Sequence, residues 1–159
     1  MKLCILGGGL TGLSLAKSLV KKGLSIDIFL NKKKSDFNRS RTIGISNDNL
    51  MYFNKEILDI EKLFWNIKKI EIYSDNLRNE KILNFENNNK TVFAIIRNYQ
   101  LQSKLLKSLK KDKLCKFKQN FDYNLSNLKK YKLIINCEND NYFTKKFFAK
   151  SLKKKYDSL

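Results

Sequence analysis

An α/β fold organised around a parallel sheet is what this sequence predicts, on three observations. A short apolar strand at residues 3–6 runs into Gly7-x-Gly9-x-x-Gly12, and an apolar-faced helix follows at once. Ser25–Leu30 then reads as a second strand, and Leu133, Ile134 and Ile135 have the composition of a buried parallel strand. Between these, residues 67–74, 81–86 and 91–96 show strand-like patterning, with Ile70 and Ile72 alternating with Glu71 and Tyr73. These three segments are read as one small antiparallel sheet inserted into the parallel architecture.

The glycine turn is the most specific feature. In the setting strand–turn–helix it is the fingerprint of a Rossmann-like, dinucleotide-binding βαβ unit. Gly7 permits the turn out of the strand, Gly9 leaves no Cβ between backbone and a pyrophosphate, and Gly12 lets the helix approach the sheet. Free N–H groups at the helix start, with the positive end of the helix dipole, suit phosphate. The candidate cofactor site is therefore Gly7, Gly8, Gly9, Leu10, Thr11 and Gly12. Behind it, Leu13, Ala16, Leu19 and Val20 share one helical face, and Gly23 closes the helix. The acid expected at the end of the second strand is missing: the position falls on Leu30, with Asn31 next. Asn31 can accept a ribose hydrogen bond through its amide oxygen, without charge. Asp27, an odd number of residues from Leu30, points to the opposite face of the sheet.

The remaining elements follow in order. Residues 31–40 read as a surface loop. Asn47 or Asp48 caps a helix through Phe53, and Ile57, Ile60, Leu63 and Phe64 suggest a second short helix ending near Trp65. Asn98 caps a longer helix with Leu101, Leu105, Leu106 and Leu109 facing inward. Residues 114–117 and 131–136 read as strands, 120–125 as a further candidate strand, and 143–159 as partly helical.

Composition narrows the chemistry. With 159 residues the chain holds about one hydrophobic core. Its 33 basic and 15 acidic residues leave a formal charge of +18. Only Arg39, Arg41, Arg78 and Arg97 are arginines; the lysines are spread along the chain without an aromatic-interleaved segment. Solvated lysine faces explain that pattern better than a nucleic-acid site, so no nucleic-acid partner is expected, with a basic nucleic-acid-binding protein kept as the least favoured reading. The same field permits peripheral contact with an anionic membrane surface. No apolar run approaches a bilayer span, and a strand beginning at residue 2 fits neither signal nor transit peptide. Cys4, Cys115 and Cys137 read as reduced thiols of a cytoplasmic protein, and no metal site is expected. Histidine is absent, which removes the commonest general base.

At Arg41-Thr-Ile-Gly-Ile-Ser46 a second motif joins the glycine turn. Together with the segment 65–75 and Asn98-Tyr-Gln-Leu-Gln102, it makes the sequence resemble the N-terminal part of the class A FAD-dependent monooxygenases. Within these it is most similar to the aromatic-ring hydroxylases of ubiquinone biosynthesis. The resemblance implies an FAD-dependent oxidoreductase that takes reducing equivalents from NAD(P)H and transfers one oxygen atom of O₂ to a small aromatic or prenylated-phenol substrate. It implies that Arg41 reaches the phosphate or ribityl region of FAD, as against an ordinary loop arginine, and that Gln102 faces the flavin. Arg97 is near, but the family's arginine falls at Tyr99. No catalytic residue is assigned. Residues 1–159 then form a single, partial FAD-binding domain, with 66–97 as inserted strands of an incomplete substrate domain. The chain departs from the family at Asn136-Cys-Glu-Asn-Asp-Asn-Tyr142, where Glu138 stands in for an acid while two glycines and a serine are lost. A later Gly-Asp motif falls beyond residue 159, so the fold is expected to be truncated. The alternative is a non-catalytic FAD- or NAD-binding module or a decayed copy.

Overall fold

The computed structural model describes residues 2–30, 39–75, 78–88, 90–119, 121–124 and 129–148. In chain order the elements are β1 (Lys2–Leu6), α1 (Leu10–Lys21), β2 (Ser25–Leu30), β3 (Thr42–Ser46) and α2 (Asn47–Tyr52). A π turn (Phe53–Ile57) and a 3₁₀ turn (Glu61–Leu63) lead to β4 (Phe64–Ile67), β5 (Lys69–Tyr73), β6 (Lys81–Glu86) and β7 (Phe93–Arg97). Then come α3 (Asn98–Lys110), β8 (Cys115–Gln119), β9 (Leu133–Asn136) and α4 (Tyr142–Phe147).

β1, α1 and β2 form the expected βαβ unit. α1 stops because Gly23 takes φ +79°, a left-handed conformation that glycine adopts without a Cβ penalty. Its N–H donates to the Val20 carbonyl at 2.9 Å, and the Leu24 N–H donates back to Leu19 at 3.2 Å. This closing pattern satisfies two carbonyls that the helix would otherwise leave free. The chain thus returns directly into β2, parallel to β1, with Leu3 opposite Ile26 and Ile5 opposite Ile28.

The parallel sheet has the order β8-β2-β1-β9. One face carries Leu3, Ile5, Ile26 and Ile28 against Leu13, Ala16 and Val20 of α1 and Leu101, Leu105 and Leu109 of α3, all buried. The opposite face carries Cys4, Leu6 and Phe29, covered by Phe121, Tyr123, Tyr131 and Phe143. There the Phe29 and Phe121 rings meet edge-on at 4.9 Å. Cys4 and Cys115 are buried, Cys137 is half-buried, and all three are free thiols.

The antiparallel part differs from the sequence reading. The segments read as one sheet divide: β5 and β6 form a separate hairpin, while β7 sits between β3 and β4. β7 finds its partners 30 and 50 residues back in the chain, a pairing that local alternation cannot reveal. The second short helix is also corrected. Of its apolar residues, Ile57 ends the π turn, Ile60 holds the cap position of the 3₁₀ turn, Leu63 ends that turn and Phe64 opens β4, because Leu58 is extended and the Asn54 side chain accepts from the Ile60 N–H at 2.9 Å. α2 is capped one residue earlier than expected, with Ser46 Oγ accepting from the Asn49 N–H. Arg97, not Asn98, occupies the cap position of α3. The strand read at 114–117 runs over Cys115–Gln119, and the one read at 131–136 over Leu133–Asn136. Of the candidate strand at 120–125, residues 121–124 are not in a strand, and 120 and 125 lie outside the described residues. Among the described residues, no helix is long and apolar enough to cross a membrane.

Candidate functional site

The glycine turn is built as its spacing demands. Gly7 takes φ +111°, and its N–H donates to the Phe29 carbonyl at 3.0 Å, tying the end of β1 to β2. A Cβ at Gly7 would lie 2.8 Å from Glu138 Cγ, and one at Gly12 would collide with the Gly7 carbonyl oxygen. Gly8 has Leu30 pressed against it. At Gly9, by contrast, a Cβ would meet nothing within 4 Å. Of the four glycines, three face protein and one faces open space.

That open space lies at the start of α1. Gly9 holds the cap position with extended backbone, no side chain caps the helix, and no acidic residue stands in its first turn. The first N–H groups of an α-helix have no partner inside the helix. Leu10, Thr11 and Gly12 therefore present donors, together with the positive end of the dipole, beside a glycine with no side chain. This cradle fits a pyrophosphate.

α3 supplies the second wall. Gln102 Nε2 donates to the Gly8 carbonyl at 2.9 Å, fixing the orientation of that peptide. One helical turn earlier, the Asn98 N–H donates to the Arg41 carbonyl at 3.0 Å, which brings the start of β3 to the start of α3. Arg41 and Gln102 thus stand on neighbouring parts of one wall, with Arg41 exposed. Asn98 Oδ1 is buried and has no hydrogen-bond partner among the described residues. A buried acceptor left open in this way is uncommon in native proteins and marks where a donor belongs. Sequence reasoning treated Asn98 as a cap; its spacing of four from Gln102 places both on one helical face. Further along α3, a cleft of about 330 Å³ is lined by Arg39, Tyr99, Gln102, Ser103, Leu106, Lys107 and Lys110, with no carboxylate among the described residues that line it.

Arg97 is engaged elsewhere, its guanidinium 5.3 Å from the centre of the Trp65 ring. Asn31 lies outside the described residues. The segment after β9 folds into a compact polar turn. Asn141 Nδ2 donates to Asn136 Oδ1 at 2.6 Å, Asn136 Nδ2 donates to Thr144 Oγ1 at 2.8 Å, and Thr144 Oγ1 donates to the Glu138 carbonyl at 2.9 Å. This network sets the Glu138 side chain against Gly7.

Across the sheet lies a feature that the sequence did not disclose. The Asp27 side chain is buried, with its Oδ2 3.0 Å from Lys2 Nζ, 2.6 Å from Lys118 Nζ and 2.7 Å from Tyr131 Oη, which donates to it. Burial alone pushes the carboxyl up, but hydrogen bonds from Lys118, Tyr131 and Lys2 outweigh it and hold Asp27 below its ordinary value. Burial, then the neighbouring carboxylate, raises the Tyr131 hydroxyl; the same two causes raise the Cys4 thiol to about 12. Lys2, Asp27 and Lys118 come from three adjacent strands, so only the sheet order unites them.

These elements define an α/β fold built on a βαβ unit with a glycine turn, and comparison with solved structures finds that fold among flavin enzymes. PqsL of Pseudomonas aeruginosa, solved with 2-aminobenzoylacetate, matches with a TM-score of 0.68 at 10% identity over 98% of this chain and 48% of its own. The p-nitrophenol 4-monooxygenase PnpA of Pseudomonas putida matches at 0.60 and 15% identity over 74% of this chain and 31% of its own. HpxO of Klebsiella pneumoniae, solved with FAD and uric acid, matches at 0.55 and 19% identity over 74% and 30%. At these identities the likeness establishes a shared fold. The chain spans from under a third to about half the length of these proteins. No protein-family model and no curated protein sequence matches it.

Proposed function

We propose that the chain holds FAD at the glycine turn and constitutes the cofactor-binding part of an FAD-dependent monooxygenase. The observation that carries this reading is the uncapped start of α1, where Gly9 opens onto free space and Gln102 fixes the adjoining peptide. The N–H groups of Leu10, Thr11 and Gly12 would hold the pyrophosphate, and Arg41 would add positive charge at the same wall. Asn98 Oδ1 would accept from a hydroxyl of the cofactor's sugar or ribityl portion, satisfying the open acceptor. Bound FAD supplies the redox chemistry by which an oxygen atom of O₂ reaches an electron-rich ring; the protein orients it and excludes water.

The finer reading is an aromatic-ring hydroxylase of the ubiquinone-biosynthesis type, using NAD(P)H and a small aromatic or prenylated phenol. It rests on the motif resemblance at residues 7–12, 41–46 and 98–102. Cytoplasmic placement with peripheral contact on anionic membrane belongs to the same reading and is supported by the net charge of +18. A second reading, a module that holds FAD or NAD without turnover, is favoured by one observation: the acid expected at the end of β2 is absent, the position falling on Leu30.

Titration with FAD, followed by visible absorbance and thermal denaturation, tests the cofactor. A yellow complex with a raised melting temperature is expected. Gly9→Val should abolish the complex while the free protein keeps its far-UV spectrum, since the added side chain enters open space. A wild-type chain that stays colourless and is not stabilised by FAD overturns both flavin readings. NADPH consumption with phenolic substrates then separates the hydroxylase from the holder.

A further inference from the structure

The end of β2 bears on what an adenosine can carry at the glycine turn. In a dinucleotide-binding βαβ unit an acid at this position accepts from the ribose hydroxyls, and its charge repels a phosphate on the 2′ carbon. Here the position holds Leu30, on the same face of β2 as Ile26 and Ile28. It is half-buried and packs against the apolar core of that face. A Cβ on Gly8 would collide with Leu30 Cδ2, so the leucine lies directly against the turn. Its neighbour in register on β8 is Gln119, an exposed amide without charge.

The charges beside this position favour an added phosphate. The Gly8 carbonyl accepts from Gln102, and Gln102 shares its cleft with Arg39, Lys107 and Lys110, all three exposed. Arg39 follows β2 in the chain, and α3 leads into β8, the neighbour of β2 in the sheet. The described residues lining the cleft include no carboxylate. Glu138 does reach the turn, but it meets Gly7 and follows β9, across β1 from β2. The β2 side of the turn thus combines cations with a leucine where the repelling group would stand.

We propose that the adenosine end of this site admits a 2′-phosphate, so that NADP binds at the glycine turn in preference to NAD and competes there with FAD. The inference rests on the cofactor reading above, in which the N–H groups of Leu10, Thr11 and Gly12 hold a pyrophosphate. Leu30 removes the repulsion that would reject the extra phosphate. Arg39 supplies the charge that receives it, its guanidinium being suited to two parallel hydrogen bonds to phosphate oxygens.

Calorimetric titration with ADP, NAD and NADP tests this. ADP reports on the pyrophosphate cradle. NAD and NADP differ only in the 2′-phosphate, so their ratio reports on the inference. NADP should bind about fivefold tighter than NAD, with the advantage shrinking as salt is added. It should also release FAD from the loaded protein, read as recovered flavin fluorescence. Arg39→Ala alters an exposed residue and should keep the wild-type melting temperature while lowering NADP affinity about fivefold more than NAD affinity. Leu30→Glu should invert the preference, favouring NAD by about tenfold or more. Leu30→Gln, of the same length without the charge, should leave NADP preferred, which separates charge from packing. The inference is overturned if wild type binds NAD as tightly as NADP, if Arg39→Ala weakens both alike, or if NADP leaves FAD in place. Any of these results with ADP still bound leaves the cradle standing. Failure of ADP to bind overturns the cradle itself, and the inference with it.

Discussion

The two faces of the parallel sheet are made from the same strands and held in different ways. Toward the helices, β1 and β2 show Leu3, Ile5, Ile26 and Ile28, a surface whose cohesion depends on volume and close approach. Toward the other side they show Cys4, Leu6, Asp27 and Phe29, under a cover of aromatic rings pinned by a buried carboxylate between two lysines and a tyrosine. The first face responds to shape and the second to charge. The glycine turn belongs to the first, since Gly12 sits where α1 touches the end of β1.

The largest effect is expected where shape is least forgiving. Gly12→Val drives a side chain into the Gly7 carbonyl and toward Ile5, and should cost about 3 kcal/mol or more, read as a fall in the urea midpoint. Ile5→Ala on the same face removes a fully buried side chain and should cost about 2–5 kcal/mol, independent of pH. On the charged face, Asp27→Asn should cost about 1–3 kcal/mol near neutral pH. That difference should vanish in acid. A carboxyl held below its ordinary value of 3.8 contributes stability above that value and loses it as pH falls through the lower, folded one. Equal costs for Asp27→Asn at pH 7 and in strong acid would remove the distinction between the faces. Tyr131→Phe deletes one of three donors to Asp27 and should cost about 1 kcal/mol, the smallest effect of the series.

Legibility in the sequence follows the same division. β1, α1 and β2 were readable because each signal is local: a strand, three glycines at fixed offsets, a helical face and Gly23 at its end. The π turn and β4 were not, because the spacing of Ile57, Ile60, Leu63 and Phe64 imitates a helix, whereas the pairing of β4 with β7 spans some 30 residues. The site was legible in the same measure. Gly7 to Gly12 and Gln102 lie together as the motifs suggested, while the open acceptor on Asn98 emerged only once Arg97 was seen to hold the cap position. Asp27 could be assigned to the opposite face from strand alternation, but its lysines arrive from strands 25 residues before it and 91 after it.

Cys4 and Cys115 sit on opposite faces of this sheet, both buried, with thiols held up at about 12 and about 11. Thiolate, the reactive form toward alkylating reagents and peroxide, is thereby suppressed at both positions while the sheet is closed. Each sulfur is a natural timer for its own side: its modification rate counts how often that layer lifts, and the ratio of the two rates tells which layer lifts first.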